Sequence, residues 1–327
     1  MPDDVTPLLS SNAALAAQER GIALSILCKE MNKMKRKWRE TGTGYLLMSP
    51  TLFVLLLFII GPIVFAIFLA FHKVQLLGTT TFEFVGLDNF ERIAHDARAK
   101  IALWNTLKYV VIVVPCQTIL ALVLAATLNA GLKGQKFFRI VYFLPTLTSS
   151  AVLTLIFMWM YNQNGLINHV LKLLGLPTYN WIGDPDVALT AIMIMNIWST
   201  APYFMVIYLA ALQDIPDSLY EAAELDGANA LQKFWYVTVP YLRPVTSFVV
   251  IMGLIGTFQL FDQSYIFSGG SGGPNNSTLT VVLLIYQYAF KTLGTMGYAA
   301  ALAFVLALII LTATLLQRKF SKEESLY

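Results

Sequence analysis

Charged residues are scarce in this chain: Asp, Glu, Lys and Arg make up only 13% of its 327 residues, while 57% are apolar. A typical soluble domain carries about 25% charged residues, because its surface faces water. So few charges indicate that most of the surface faces lipid. The net charge of +3 is small and argues against a nucleic-acid-binding surface.

Catalytic and nucleotide-binding motifs are also missing. The chain has no Gly-x-x-x-x-Gly-Lys-Ser/Thr phosphate loop, and no lysine follows its glycine-rich run at 269–273. A metalloprotease helix motif and a nucleophile elbow are likewise absent. The two cysteines, Cys28 and Cys116, lie far apart in unrelated surroundings, which argues against a disulfide framework or a metal site. We therefore expect the chain not to be an enzyme and to carry no cofactor of its own.

Long apolar stretches are what the chain does contain. A membrane-spanning helix needs about 20 apolar residues, and six charge-poor stretches come near or exceed that length. They are Leu46–Phe71, Tyr109–Leu132, Ile140–Tyr161, Val187–Gln213, Pro244–Phe261 (continuing past Asp262) and Thr292–Gln317. The apolar piece Leu279–Phe290 is too short to span and is expected to be interfacial or partly buried. The sequence thus predicts an all-α integral membrane protein with six transmembrane helices.

The distribution of Lys and Arg predicts that both termini are cytoplasmic. In that orientation the cytoplasmic segments hold 15 of the 22 lysines and arginines, as the positive-inside rule expects. Residues 1–44 then form a cytoplasmic tail without a cleavable signal-peptide pattern, either an amphipathic surface helix or a frayed tail. Residues 45–317 form the transmembrane domain, and residues 318–327 form a cytoplasmic C-terminal tail.

The loop between the fourth and fifth predicted helices, residues 213–244, has the signals of a helix–turn–helix. Ser218 and Glu221 have the spacing of a capping box. Gly227 is a natural helix stop, because glycine takes the left-handed position after a helix. A second helical stretch, Leu231–Val237, is predicted to end before the next proline. From these signals alone, the loop is either an element that transmits motion to another protein or a well-capped connector.

The residue order of this loop resembles the signature loop of permease subunits in binding-protein-dependent ABC importers. The matching run is Glu221-Ala222-Ala223-x-x-Asp226-Gly227-Ala228, followed by Phe234 and by Pro240-x-x-x-Pro244. In that family the loop forms a coupling helix that docks on the ATPase subunit. The resemblance implies this coupling role for Glu221, Ala222, Ala223, Asp226, Gly227 and Ala228.

Two further motifs resemble the carbohydrate-importing branch of that family. They are Phe84–Phe90, after the first span, and the run from Phe261-Asp262 through Gly273-Pro274 to Ser277-Thr278. The pattern is similar to the first permease of a maltose or glycerol-phosphate importer pair. It implies ATP-driven uptake of a sugar, such as an oligosaccharide like alginate, across the bacterial inner membrane.

The resemblance also implies partners. These are a second homologous permease, two ATPase subunits that hold ATP and Mg, and an extracytoplasmic solute-binding protein. Basic residues after the first span, Arg92, Arg98 and Lys100, leave an acidic sugar open. A non-sugar solute such as a glycerol phosphodiester is an alternative. An ion-coupled secondary transporter is another, although such a protein is expected to contain several intramembrane acids.

Polar residues inside the predicted spans mark a candidate substrate path, because polar side chains are costly in lipid. The six side chains predicted to line it are Asn196, Thr200, Tyr203, Phe258, Gln259 and Asp262. The first three recur at i, i+4 and i+7 of the fourth helix and share one face. The others lie together near the end of the fifth span, where an aromatic ring offers a face for a sugar. The alternative is that these polar groups form helix–helix hydrogen bonds.

Overall fold

The structure is a computed structural model that describes residue 33 and residues 40–75, 81–131 and 134–322. The chain divides into two compact units, residues 1–65 and residues 66–327. The predictions for the N-terminal tail before residue 40, apart from residue 33, and for the C-terminal tail after residue 322 lie outside the described residues.

The described elements are helical apart from one hairpin. In chain order they are α1 (Glu40–Ala70), β1 (His72–Gln75), β2 (Thr81–Phe84), α2 (Asp88–His95), α3 (Ala97–Asn129), α4 (Gln135–Phe143), α5 (Ser150–Met160), α6 (Leu166–Leu173), α7 (Pro185–Gln213), α8 (Asp217–Leu225), α9 (Ala230–Lys233), α10 (Arg243–Phe258), α11 (Asp262–Phe267), α12 (Val281–Tyr286) and α13 (Met296–Lys322). Within the described residues, five spans are long and apolar enough to cross a membrane, and a sixth is formed if one bent helix pair is counted as a span. The predicted fold class is therefore confirmed.

The third predicted span, Ile140–Tyr161, is wrong as a continuous helix. A 3₁₀ turn, Leu144–Leu147, continues α4, and this segment meets α5 at a bend of 100°. The break follows from extended backbone at Thr148 and Ser149, whose ψ angles are 137° and 136°. An α-helix cannot continue through two such residues.

The second span starts much earlier than its predicted first residue, Tyr109. The carboxylate of Asp96 caps α3 by accepting a hydrogen bond of 2.8 Å from the backbone N–H of Arg98. The helix has 33 residues, which makes it about 50 Å long at about 1.5 Å per residue. This exceeds the hydrocarbon thickness of about 30 Å, so the charged first turns of α3 extend beyond it.

The fifth span continues past Asp262, as predicted, and reaches Phe267, but its helix is interrupted on the way. Helix α10 ends at Phe258, and α11 begins at Asp262. Between them the backbone leaves helical geometry, with φ −130° and ψ −63° at Phe261. The bundle therefore contains two broken spans, one at Thr148 and Ser149 and one at residues 259–261.

The core joins α3 and α7 along much of their length. Small residues on α3, Ala121 and Ala125, belong to one fully buried cluster with the large α7 side chains Met205 and Tyr208. The short apolar segment that was predicted to be interfacial or partly buried is held in the core. Leu279 and the α12 side chains pack in a cluster that also contains residues of α3 and α13.

Candidate functional site

A cavity of about 510 Å³ lies where the two broken spans meet α7. Pro145, Thr148 and Ser150 line it from the first break, and residues 259–263 line it from the second. Irregular backbone at membrane depth is tolerated where it lines a cavity, and broken helices are a recurring way to build solute sites. This geometry makes the cavity the candidate solute site.

Five of the six side chains predicted to line the path do line this cavity: Asn196, Thr200, Tyr203, Gln259 and Asp262. Phe258 is the exception, because its side chain does not line the cavity. It is only 5% exposed and belongs to an apolar cluster with Leu254, which lies one turn earlier on the same face of α10. That face is turned toward the core.

Two of the cavity residues of α7, Asn196 and Thr200, are already engaged in hydrogen bonds. The Asn196 amide donates to the hydroxyl of Tyr109 on α3. The Thr200 hydroxyl lies 2.8 Å from Oε1 of Gln117 and 2.7 Å from the backbone oxygen of Asn196. The contacts with Tyr109 and Gln117 are the helix–helix hydrogen bonds that the sequence left open as an alternative.

The other predicted cavity residues do not form hydrogen bonds between the described helices. Within the described residues, the polar groups of Tyr203, Gln259 and Asp262 form no side-chain hydrogen bond, and all three side chains are exposed. Asp262 is the only charged side chain that lines the cavity from the described residues. The cavity therefore presents free polar groups with one acid and no base.

Sequence reasoning missed several residues of the cavity wall. The structure adds Gln117 of α3, Ser150 at the first break and Gln263 of α11. Gln117 had a usable signal, because it is an amide within the otherwise apolar second span. Ser150 had only an indirect signal, because Pro145 indicates a helix break nearby but not the direction of the bend.

The exposed loop between α7 and α10 forms a helix pair, as predicted. Gly227 has φ +78° and follows α8. The N–H of Ala228 bonds to the Ala223 oxygen at 2.9 Å, and the N–H of Gly227 bonds to the Glu224 oxygen at 3.0 Å. These two bonds are those of a Schellman motif, in which a residue with positive φ closes the helix. Gly227 is thus confirmed as the helix stop.

The predicted capping box at Ser218 and Glu221 is wrong. Helix α8 starts at Asp217, so Ser218 already lies inside its first turn, and no side chain caps this end. The capping box occurs at the start of α9 instead. There the Asn229 N–H donates to Gln232 at 2.8 Å, and the Gln232 N–H donates back to the Asn229 side chain at 2.9 Å.

The second helical stretch was predicted to end before Pro240, and this prediction is wrong because helical turns continue to Tyr241. After α9 the chain forms a π-helical turn, Phe234–Thr238, and a further helical turn, Val239–Tyr241. The Val239 N–H bonds to the Phe234 oxygen five residues back. Proline fits the turn that follows because it is near the start of that turn, where its missing N–H is tolerated.

Side-chain contacts stiffen the loop while its outer surface stays exposed. The hydroxyl groups of Tyr220 and Thr238 lie 2.9 Å apart, and Lys233 forms an ion pair of 2.6 Å with Glu224. The hydrogen bond and charge of that lysine lower the pKa of Glu224. Leu225 is nevertheless 90% exposed. The Leu225 side chain is therefore available for contact with another protein.

Asp96 is the centre of a polar cluster at the start of α3. It accepts hydrogen bonds from Tyr298 at 2.7 Å and from Tyr288 at 3.0 Å. Burial alone raises the pKa of Asp96, but these bonds and those from the backbone outweigh it, so the pKa is lowered. Arg92 lies 4.4 Å from the Tyr298 ring centre, and Arg98 donates to Gln287 at 2.5 Å. The two arginines therefore contact residues of this cluster and do not line the cavity.

Membrane-length helices with broken spans around a polar cavity are typical of polytopic membrane transport proteins. Comparison with known families agrees. The family described as "Binding-protein-dependent transport system inner membrane component" matches residues 117–324. The chain is 35% identical to the lactose transport system permease protein LacF of Rhizobium radiobacter, over 86% of this chain and 94% of LacF. It is 33% identical to the trehalose/maltose transport system permease protein MalF of Thermococcus litoralis, over 88% of this chain and 96% of MalF.

The chain therefore belongs to the family of inner-membrane permease components of binding-protein-dependent ABC transport systems. A solved structure supports the same fold. A chain of a bacterial ABC transporter involved in the import of the acidic polysaccharide alginate superposes with a TM-score of 0.72, covering 89% of this chain and 99% of that chain. Its sequence identity is 21%, so this likeness concerns the fold.

Proposed function

We propose that this permease imports a neutral sugar, most simply an oligosaccharide, and forms half of its translocation pathway. The supporting observation is membership of the family together with relatives named for lactose and for trehalose and maltose transport. The cavity fits a polyhydroxylated solute because its free groups, among them Gln259 and Tyr203, can donate and accept hydrogen bonds.

Charge in the cavity favours a neutral sugar over an acidic one. A uronate would place its carboxylate near Asp262 without a basic partner among the described lining residues. Like charges at close range repel each other, most strongly where water is excluded. Arg92 and Arg98, which left an acidic sugar open at the level of sequence, contact Tyr298 and Gln287 instead.

The exposed loop is proposed as the coupling element that receives force from an ATPase. Support comes from its stiffness and from the exposed Leu225 on its surface. The proposed docking residues remain Glu221, Ala222, Ala223, Asp226, Gly227 and Ala228. Because this chain has no phosphate loop, ATP and Mg are assigned to two separate ATPase subunits, and the permease needs no cofactor of its own.

The remaining parts of the importer follow from the same proposal. A second permease completes the pathway, and an extracytoplasmic binding protein delivers the sugar. Both termini and the coupling loop face the cytoplasm, as the Lys and Arg distribution predicts. ATP binding moves the coupling loops, and the helices rock to open the cavity alternately to each side.

Purification of the complex with its binding protein tests this function. The chain is expected to co-purify with an ATPase whose rate rises when the binding protein carries one of four neutral probes: lactose, maltose, trehalose or arabinotriose. An alginate tetrasaccharide serves as the acidic comparison. Stimulation by alginate alone would contradict the neutral-sugar proposal, and failure to recover any ATPase would contradict the coupling role.

A further inference from the structure

Gln117 on α3 has more hydrogen-bonding capacity than the protein uses. Its side chain is 1% exposed, and its Nε2 has no hydrogen-bond partner. The Oε1 atom lies 2.8 Å from the Thr200 hydroxyl, but that hydroxyl has one hydrogen and also lies 2.7 Å from the Asn196 oxygen. An amide can donate two hydrogen bonds and accept two. Here Gln117 has at most one shared bond.

A buried donor without a partner costs about 1–3 kcal/mol, so its persistence needs an explanation. Among the described residues only four buried side-chain atoms lack a partner, and two of these, in Gln117 and Ser150, belong to residues that line the cavity. An apolar side chain of similar shape would serve packing between α3 and α10 at least as well. The position of the unused groups therefore points to a partner that enters the cavity.

Gly253 of α10 leaves space for this amide. A Cβ atom at position 253 would lie 2.6 Å from Nε2 of Gln117, which is closer than such atoms approach. The missing side chain at Gly253 therefore leaves an opening in the surface of α10, here called the window. Both Gly253 and Gln117 line the cavity. A small movement of α10 during alternating access would bring the amide N–H to the cavity surface.

We propose that Gln117 is a sugar-binding residue whose Nε2 donates a hydrogen bond to one hydroxyl of the solute through the window at Gly253. This inference rests on the proposed import of a neutral sugar. It assigns a contact to α3, in addition to the predicted pathway residues of α7 and the fifth span. It also explains why the amide of Gln117 is buried although the protein itself uses little of its hydrogen-bonding capacity.

The test uses the complete importer in proteoliposomes with saturating binding protein. Uptake rates are measured for lactose, maltose, trehalose and arabinotriose, and for the monodeoxy derivatives of whichever is transported fastest. The wild type is expected to discriminate against one monodeoxy derivative, and Gln117→Met is expected to lose about three- to tenfold of that discrimination, the equivalent of one hydrogen bond. Because both proteins share the same binding protein, its own preference cancels in the ratio.

Gln287→Met is the matched control, because Gln287 is also buried but uses both ends of its amide. It accepts from Arg98 at 2.5 Å and donates to the Gly270 oxygen at 2.8 Å. This control is expected to lower the thermal unfolding midpoint without changing sugar discrimination. Gln117→Met is expected not to lower the midpoint, because it removes one shared bond but also removes a buried donor that has no partner among the described residues.

A second variant, Gly253→Ala, keeps the proposal testable if Gln117→Met fails to fold. The added methyl group displaces the amide, so the same single hydroxyl should lose its discrimination. Equal discrimination by the wild type and both variants at every hydroxyl would overturn the role of Gln117 while leaving sugar import intact. Transport of none of the four sugars by the wild type would overturn both proposals.

Discussion

Replacing Gly227 with valine tests whether the shape of the coupling loop matters for transport. A Cβ at this position would meet no atom of the chain within 4 Å, so the cost of the change is not steric crowding within the loop. It arises from φ +78°, which costs a residue with a side chain about 1–2 kcal/mol or more if β-branched. If the backbone relaxes instead, the Ala228–Ala223 and Gly227–Glu224 bonds are lost, at about 0.5–1.5 kcal/mol each.

A penalty of this size shifts the local equilibrium away from the closed loop by about 5- to 30-fold. The expected result for Gly227→Val is weaker sugar stimulation of the ATPase and slower uptake, while the complex still assembles. Gly227→Asn is the matched control, because asparagine tolerates the left-handed region, and it should behave nearly as the wild type. Both activities are measured on purified complexes. Full activity of the valine variant would refute the reasoning, whereas equal loss with asparagine would shift the cause to contact with the partner.

Three further outcomes are expected. Asn196→Leu should slow uptake and lower the thermal midpoint, because it leaves the Tyr109 hydroxyl without a partner. A buried unpaired hydroxyl costs about 1–3 kcal/mol. Adding Tyr109→Phe should restore the midpoint but not uptake. Gly297→Ala should destabilise the protein by about 1–3 kcal/mol, because its Cβ would lie 1.9 Å from the His72 oxygen. Asp96→Asn should lower the midpoint at pH 7, but less at pH 3.

The direction of the pH effect follows from the lowered pKa of Asp96. A carboxylate whose pKa is lower in the folded protein stabilises it fully above the ordinary value of 3.8 and loses that effect as the pH falls through the folded pKa. The gap between wild type and variant should therefore close in acid. A gap that is constant with pH would contradict the role of the charge. For Gly297→Ala and for the Asn196 pair, unchanged thermal midpoints would contradict the packing and hydrogen-bond assignments.

The sequence was sufficient for features that depend on local chemistry. Apolar length located the membrane helices, and the glycine at 227 predicted the end of α8. Periodicity on one helix placed Asn196, Thr200 and Tyr203 on one cavity wall. These signals work because helix geometry relates spacing along the chain directly to position on a face.

The features that the sequence did not reveal depend on contacts between distant segments. Pro145 and the Thr148-Ser149-Ser150 run are local signals for a helix break, but they do not determine a bend of 100°. The predicted start of α3 was too late because the prediction required a charge-free run. The first turns of α3 carry charges and extend past the lipid. Phe258 has the correct chemistry for a sugar contact, but packing of α10 against the core turns its ring away. Tertiary packing, not local preference, determined the angle of the bend and the direction of the Phe258 ring.

The most direct test of the central claim is uptake of radiolabelled lactose, maltose, trehalose and arabinotriose by proteoliposomes that contain the complete importer. ATP is enclosed inside, and the sugar-loaded binding protein is added outside. We expect that one of these sugars accumulates, that accumulation requires both ATP and binding protein, and that Gly227→Val reduces it. Uptake that proceeds without ATP and instead follows an imposed ion gradient would contradict the account.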